Sequence, residues 1–322
     1  MQNSAVTARA HTNIALIKYW GKKDQQLILP MNGSLSLTLD KFYTDTSVEY
    51  LPNLNADVFY LNGTEVADPK ITRFMDIVRQ KTRSSNYALI KSTNHVPTAA
   101  GLASSASAYA ALALAATAAA GQNFSLTELS RLARRGSGSA TRSIFGGFAE
   151  WLPGTDDQSS YAQPLDFQTD WDLRMIAIVV DALPKKVSSR HGMQTVVETS
   201  PFYPAWIKSA TQDLAAIKQA MQNNDFQRFG EIAESNALRM HALNLSAVPH
   251  FNYFEPQSLI AMQAVENLRA AGISCYYTMD AGPNVKVICK NKDLDVILDK
   301  LHHYFPSDHL LVAAAGPNVK LL

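Results

Sequence analysis

The sequence predicts an α+β protein of two domains, a strand-rich N-terminal half with a mixed sheet and a C-terminal half in which helices cover an antiparallel sheet. Residues 35–50 and 56–66 alternate and are rich in Thr, Val, Tyr and Phe, which is typical of strands. From about residue 203 long helical patterns dominate, and the later strands do not form a βαβ series. We place the boundary within 181–192, which divides the chain into domains 1–184 and 185–322.

Local patterns predict the individual elements. In the first half these are strands at 35–50 and 56–66 with a tight Asn62-Gly63 hairpin, a helix at 69–83, a strand at 87–92, helices at 104–120 and 125–135, and a strand at 173–180. In the second half they are helices at 203–222, 225–243 and 256–271, strands at 275–279 and 284–289, a helix at 293–304 and a strand at 310–314.

The composition excludes several classes of protein. The 322 residues are 47% hydrophobic and 18% charged, as in soluble globular proteins. A net charge of +1 argues against a nucleic-acid partner and against a polybasic membrane anchor. The N-terminal run MQNSAVTARAHTN has no apolar core and so predicts no secretory signal. Two cysteines without a CxxC motif are expected to be reduced and buried, and we predict a cytoplasmic protein.

One segment resembles a membrane span in its lack of charge. Residues 92–127 contain no Asp, Glu, Lys or Arg. The segment is nevertheless dominated by Ala, Ser, Thr and Gly, which gain little from lipid. It therefore predicts an alanine-rich helix packed inside the protein, and no membrane partner.

The strongest functional feature is the run PTAAGLASSAS, Pro97–Ser107, directly ahead of that helix. A helix N-terminus offers unpaired N–H groups and a partial positive charge, and small residues let phosphate oxygens approach the backbone. The run indicates a phosphate-binding loop of an ATP-using enzyme. It lacks the GxxxxGK[ST] pattern of P-loop NTPases, and Gly136-Ser137-Gly138 lacks the preceding strand of a dinucleotide fold.

Three further segments place cations and hydroxyls in separate parts of the chain. Lys18 follows apolar residues in NIALIKYWGK, where a charge usually has an anionic partner. Arg142 in RRGSGSATRS is able to bind a carboxylate or phosphate through two hydrogen bonds, or is simply a surface arginine. The segment PKKVSSRHGM, Pro184–Met193, is either a cationic loop in an interdomain cleft or a solvated linker.

An acidic residue completes the set. Asp280 in MDAGPN closes an apolar strand and precedes a glycine turn, where it would cap the turn, act as a base or hold a metal ion. Cations in three segments suit a substrate with several negative charges. A phosphate loop with one well-placed carboxylate suits phosphoryl transfer to a hydroxyl.

These segments resemble the GHMP kinase superfamily and, within it, the mevalonate diphosphate decarboxylase family. The resemblance covers nearly the whole chain, and its motifs occur in the family's order. They are NIALIKYWGK, NGSLSLTL, PTAAGLASSAS, SGSATRSIFGGFAEW, KKVSSRHGM and MDAGPNVK. The resemblance implies a GHMP-kinase-like fold with the active site in the cleft between the domains, and a homodimer.

The resemblance also implies a reaction, in which ATP and Mg²⁺ convert mevalonate 5-diphosphate to isopentenyl diphosphate, ADP, phosphate and CO2. Asp280 would orient or deprotonate the 3-hydroxyl, Arg142 would hold the carboxylate, and Lys18 would lie near both. The implied diphosphate ligands are Tyr19, Lys22, Ser137, Ser139, Ser189 and Arg190. The implied nucleotide ligands are Ser92, Asn94, Gly101, Ala103, Ser104, Ser105, Ser107 and either Lys185 or Lys186, with Ser104 and Asp280 as magnesium ligands.

Two other functions remain open from the sequence. A related mevalonate or phosphomevalonate kinase would transfer phosphate without releasing CO2. A catalytically inactive relative would act as a ligand sensor or scaffold, although the candidate catalytic groups are all present. Release of CO2 distinguishes these functions.

Overall fold

The structure is a computed structural model that describes residues 5–95, 104–167, 169–180 and 186–322. Most of the predicted elements are confirmed to within a few residues. Asn62 and Gly63 both have positive φ, at 51° and 84°, and join two short strands in the expected tight hairpin. Ser125 caps its helix in a reciprocal arrangement with Glu128.

The N-terminal part is built on an eight-stranded mixed sheet in which only the β5–β7 pair is parallel. The strand order is β14-β1-β4-β7-β5-β6. Strand β8 pairs with β4 outside this order and β9 pairs with β8, so the long strand β4 pairs with three strands. The strands are β1 (Val6–Ile17), β4 (Ser34–Leu51), β5 (Val58–Leu61), β6 (Thr64–Glu65), β7 (Tyr87–His95), β8 (Phe148–Leu152), β9 (Tyr161–Pro164) and β14 (Lys320–Leu321), with β2 (Lys22–Asp24) and β3 (Leu29–Pro30) forming a separate pair.

Three helices pack against this sheet: α1 (Pro69–Thr82), α2 (Ser104–Ala119) and α3 (Leu126–Gly136). The alanine-rich α2 is buried on most sides, with Ala110, Ala113 and Ala116 fully covered. Small side chains let it lie close to β1 and β4, as the sequence predicts. In the described part of the chain, no helix is long and apolar enough to cross a membrane.

The C-terminal part contains a four-stranded antiparallel sheet of order β11-β12-β10-β13. Its strands are β10 (Leu173–Ile178), β11 (Cys275–Met279), β12 (Val285–Lys290) and β13 (Leu310–Ala313). The α+β class with a mixed and an antiparallel sheet is therefore confirmed. The predicted boundary at 184 assigned β10 to the first domain, whereas its hydrogen bonds place it in the second sheet.

The helices of the C-terminal part are α4 (Ser189–Thr199), α5 (Tyr203–Gln222), α6 (Phe226–Leu245), α7 (Pro256–Ala270) and α8 (Leu294–Leu301). Helices α7 and α8 cover one face of the second sheet. The other face shares a core with the first sheet, in which Ile14 and Leu35 meet Ile217 and Phe229 of α5 and α6. Helix α6 therefore lies between the two sheets and contacts β1 directly.

The short strands β2, β3, β8, β9 and β14 were not predicted, and two longer segments near the site also differ from the expectations. Strand β1 was not predicted, because its second half is buried on both faces and so lacks the alternation of a half-exposed strand. The segment 184–193 was expected to be a loop throughout. From Ser189 onward it is helical, since Ser188 accepts a hydrogen bond from the N–H of His191 and caps α4.

Candidate active site in the cleft between the sheets

A cavity of about 290 Å³ lies where the motifs of the two parts meet. It brings together all the residues for which a catalytic or diphosphate-binding role was predicted, and one of the predicted nucleotide ligands. These are Lys18, Tyr19, Lys22, Ser137, Ser139, Arg142, Ser189, Arg190 and Asp280, with Ser105. Their convergence from five separate segments makes this cavity the candidate active site.

An ion pair forms part of the cavity lining. Lys18 is 2% exposed, and its Nζ donates hydrogen bonds to Oδ1 of Asp280 at 2.8 Å and to the carbonyl of Ala15 at 2.7 Å. The anionic partner expected for this lysine is therefore Asp280. Burial lowers the pKa of Lys18 and the carboxylate opposes that change. Among the described residues, two of the three ammonium protons of Lys18 are engaged in hydrogen bonds.

Asp280 lies among cations contributed by three elements. Burial alone would raise the pKa of its carboxyl group, but Lys18, Lys286 and Arg142 together lower it to about 2. The carboxylate is thus ionised at neutral pH, as the sequence reasoning expected. Such a group is a weak equilibrium base and a good hydrogen-bond acceptor, so it is suited to orient a hydroxyl group.

Two residues of the first sheet hold the side chain of Arg142 by hydrogen bonds. It lies in the 3₁₀ helix Gly138–Ile144, is 2% exposed, and donates from Nη1 to Oγ of Ser34 at 2.5 Å and from Nε to Oδ1 of Asn13 at 3.3 Å. Burial lowers the pKa of Arg142 to about 10, so the guanidinium stays charged at neutral pH. Its position in the cavity lining beside Asp280 suits a carboxylate or phosphate of a ligand.

Hydroxyl groups and further cations also line the cavity. Ser105 at the start of α2 lies 3.3 Å from Ser137, and Ser137 lies 3.2 Å from Ser139, measured between their Oγ atoms. The phenol of Tyr19 is buried, and its oxygen has no hydrogen-bond partner among the described residues. A Cβ on Gly138 would come within 2.8 Å of the Tyr19 ring, so glycine is needed for this close approach.

The predicted nucleotide ligands lie mostly outside the cavity. Ser92 bonds to Thr46, and Asn94 accepts from Thr44. Ser107 is fully buried and bonds to Thr44 at 2.7 Å, so contact with a nucleotide would require this hydroxyl pair to separate. Ser104 begins α2 and Lys186 is exposed before α4, but neither lines the cavity. Gly101, Ala103 and Lys185 lie outside the described residues, and the nucleotide roles of the whole set stay predictions.

Of the two predicted magnesium ligands, Ser104 and Asp280, one is suited to bind the ion. Mg²⁺ in nucleotide sites usually takes one or two protein oxygens together with phosphates and waters. A hydroxyl such as that of Ser104 suits this, at a helix N-terminus that also favours phosphate. The carboxylate of Asp280 is already paired with Lys18 and faces two more cations, which disfavours a metal ion there. Among the described residues, no group of three or more His, Cys, Asp or Glu side chains could hold a metal.

Sequence reasoning did not single out several residues that shape the site. Asn13 bonds to Arg142 and, through Nδ2, to the carbonyl of Ser139 and the hydroxyl of Ser143. Its signal was its place at the head of the NIALIKYWGK motif. Lys286 at the end of MDAGPNVK is 1% exposed and acts on the pKa of Asp280. A lysine within an apolar strand pattern was the signal that could have identified it.

Comparisons with known proteins agree with this geometry. Residues 10–162 match a family of diphosphomevalonate decarboxylase-like N-terminal domains, and residues 175–319 match the mevalonate 5-diphosphate decarboxylase C-terminal domain. A diphosphomevalonate decarboxylase of Ganoderma lucidum is 37% identical over 93% of this chain and 82% of its own length.

Solved structures extend the match to the whole fold. A mevalonate diphosphate decarboxylase of Enterococcus faecalis is 50% identical, with a TM-score of 0.94 over 99% of this chain and 98% of that one. A complex of MDDEF with MVAPP, AMPPCP and magnesium has a TM-score of 0.95 at 50% identity, with the same coverage of both chains. Identity at this level over nearly the full length of both chains shows the family, and we conclude that the chain belongs to the mevalonate diphosphate decarboxylases.

Proposed function

We propose that this protein catalyses the ATP-dependent decarboxylation of mevalonate 5-diphosphate to isopentenyl diphosphate, with release of ADP, phosphate and CO2. The observation that carries the proposal is the Lys18–Asp280 pair at 2.8 Å near Arg142, in a cavity that serines, a further lysine and a further arginine also line. A relative in the same family has been solved with its substrate, an ATP analogue and magnesium, which supports the choice of substrates.

The carboxylate end of the substrate would lie beside the Lys18–Asp280 pair. Asp280 would accept a hydrogen bond from the 3-hydroxyl and orient its oxygen for attack on the γ-phosphorus of ATP. The new O–P bond forms as the bond to ADP breaks, and the hydroxyl proton leaves through Asp280. Phosphate then departs with the C3–O electrons, and the C1–C2 electrons form the C2–C3 double bond as CO2 is lost.

The cations beside Asp280 have separate roles in these steps. Arg142 would hold the carboxylate in line for loss of CO2, through the guanidinium that Ser34 and Asn13 fix in place. Lys18 would donate a hydrogen bond from its third ammonium proton to the reacting hydroxyl oxygen, where negative charge develops. Both groups are buried, so their interactions with the substrate are stronger than they would be in water.

The diphosphate end of the substrate would lie against other residues of the cavity lining. Tyr19 would offer its buried hydroxyl and Lys22 and Arg190 their charge, while Ser137, Ser139 and Ser189 would supply hydrogen bonds. The γ-phosphate of ATP would approach from Ser105, the one predicted nucleotide ligand in the cavity. Ser104 would hold Mg²⁺ bound to the phosphates, which supplies neutralisation of their charge.

Simultaneous measurement of ADP and CO2 tests the proposed reaction. We expect purified protein with mevalonate 5-diphosphate, ATP and Mg²⁺ to release ADP and CO2 in equal amounts. ADP without CO2 would instead indicate a kinase of the same superfamily. Neither product, in a folded sample that binds the substrate, would indicate an inactive relative.

The alkaline side of the pH profile is expected to depend on Lys22. Burial and the nearby Arg190 lower the pKa of Lys22 to about 8. Below that pH the ammonium attracts the diphosphate, and above it the charge and the attraction are lost, so kcat/KM should fall as pH rises through 8. In Lys22→Arg the guanidinium stays charged, and the fall should move to higher pH. Profiles of kcat/KM that coincide in both proteins would assign the alkaline limb to another group.

Two further properties belong to the same proposal. We expect a homodimer and a cytoplasmic location, both by resemblance to the family. Sedimentation of the purified protein at micromolar concentration measures the first, and fractionation of the producing cells measures the second.

A further inference from the structure

The backbone at Lys18 is held by two asparagine side chains. Strand β1 ends at Ile17, so the peptide groups of Lys18 have left the ladder with β4. The N–H of Lys18 donates to Oδ1 of Asn236 at 2.8 Å, and its carbonyl accepts from Nδ2 of Asn32 at 2.9 Å. Both asparagines are buried, at 0% and 2% exposed. The position of this lysine is thus determined by side chains distant in sequence.

Asn236 is itself held in one orientation. It lies on α6, and its Nδ2 donates to Oδ2 of Asp213 on α5 at 2.9 Å. The same carboxylate oxygen accepts from Arg239 at 2.6 Å. Because an ionised carboxylate only accepts, the amide nitrogen must face Asp213, and the amide oxygen must face Lys18. The chain Arg239–Asp213–Asn236 therefore presents a fixed acceptor to the lysine backbone.

The contact joins three parts of the molecule. Lys18 comes from the end of β1 in the first sheet, Asn236 from the helix between the sheets, and Asp280 from the end of β11 in the second sheet. The Lys18 side chain reaches Asp280 from a backbone that α6 anchors. A shift of the anchor would therefore move the ammonium relative to the carboxylate.

We propose that Asn236 is a positioning residue for the decarboxylation, which places the ammonium of Lys18 against Asp280 and the reacting hydroxyl. It lies outside the cavity lining and acts through Lys18 alone. The inference rests on the proposed role of Lys18 and adds a residue from the C-terminal part that no sequence motif contains.

The first test is Asn236→Ala. We expect kcat to fall about 10- to 100-fold, because small displacements of catalytic groups have effects of this size. KM for both substrates should change less than about threefold, since the cavity lining is unaltered. Asn244→Ala is the matched control: Asn244 is on the same helix, is 1% exposed, and its side-chain amide makes no hydrogen bond within the described residues. It should keep the wild-type kcat.

A pH profile separates positioning from a general loss of structure. The charged groups that act on Asp280 are Lys18, Lys286 and Arg142, and the buried imidazole of His241 interacts with it. If the Lys18 ammonium moves away, the pKa of Asp280 rises, and the acid limb of kcat moves to higher pH. A variant that is merely less stable would keep the wild-type limb in its folded fraction.

An exchange of the two side chains tests the hydrogen bonds directly. Asn236→Asp alone puts two carboxylates in contact, and kcat should fall about tenfold or more as the like charges separate. Asp213→Asn alone should be mild, because an amide oxygen still accepts from Asn236. The double variant N236D/D213N restores the net charge and both hydrogen bonds of residue 236, to the Lys18 N–H and to residue 213, but removes the acceptor oxygen that the exposed Arg239 binds. It should return kcat to within about threefold of wild type, because the exposed Arg239 is free to bind water instead.

The outcomes distinguish this inference from the proposed function. Wild-type kcat in folded Asn236→Ala, or a double variant no better than Asn236→Asp, would overturn the role of Asn236. Full turnover in Lys18→Met would overturn the role of Lys18 itself. Loss of turnover in Lys18→Met together with a lowered kcat, a shifted acid limb and recovery in the double variant would support both.

Discussion

Replacement of Asp280 by asparagine is expected to lower turnover by about 10²- to 10⁴-fold, the usual contribution of a positioned acid or base. Asparagine keeps the size of the side chain but can neither remove the hydroxyl proton nor neutralise the three cations that act on it. Binding of mevalonate 5-diphosphate should be largely retained, because the residues proposed to hold the diphosphate do not include Asp280. Steady-state turnover and binding of the substrate by calorimetry measure the two quantities.

The control for this variant is Asp172→Asn. Asp172 pairs with Arg174 ahead of the second sheet, is 63% exposed and lies away from the cavity. It should turn over substrate as the wild type does. Near-normal turnover in Asp280→Asn would refute the role assigned to Asp280, whereas loss of both turnover and binding would indicate a structural role instead.

Replacement of Lys18 by methionine is expected to lower kcat by about 10²- to 10³-fold, as does the loss of a single preorganised donor in other enzymes. Methionine fills a similar volume but removes the ammonium that binds Asp280 at 2.8 Å. The pKa of Asp280, now about 2, should rise, because Lys18 is the largest of the effects that lower it. As the pH is lowered, the activity of the variant should therefore begin to fall at a higher pH than that of the wild type, because its carboxylate is protonated at a higher pH.

A pH series of kcat on both proteins checks this sign. Lys300→Met on α8 serves as the control, because Lys300 is 59% exposed and pairs only loosely with its neighbour Asp299, at 3.8 Å. The control should show the wild-type profile. An acid limb that stays in place in Lys18→Met would mean that the charge of Lys18 does not act on the catalytic carboxylate.

Much of the fold could be predicted because its elements carry local signals. Helix α5 has the bounds Tyr203–Gln222 that its periodicity indicates, and β11 has the predicted bounds Cys275–Met279. The alanine-rich run was predicted to form a helix packed inside the protein, and most residues of α2 are buried. Where the local signal was absent the prediction failed, as at β1, whose burial on both faces removes the alternation.

The candidate site was predicted less evenly. The residues predicted for the diphosphate and the reacting hydroxyl all line one cavity. They could be named from the sequence because each lies in a motif of distinctive composition. The nucleotide ligands were assigned through the resemblance to the family, and their roles stay predictions. In the structure Ser92 and Ser107 bond to threonines of β4. A side chain's direction depends on strand register and helix rotation, which spacing along the chain does not specify.

The sequence by itself determined the types of chemical group and their local settings: a lysine in an apolar run, an arginine among serines and an aspartate at a strand end. Only the tertiary structure decided that Lys18 pairs with Asp280, 262 positions away, and that Asn236 holds the lysine backbone. The physical reason is that periodicity and composition report which face of an element is buried. The partner of a buried charge is set by the order of strands in the sheets and by the helix packed between them.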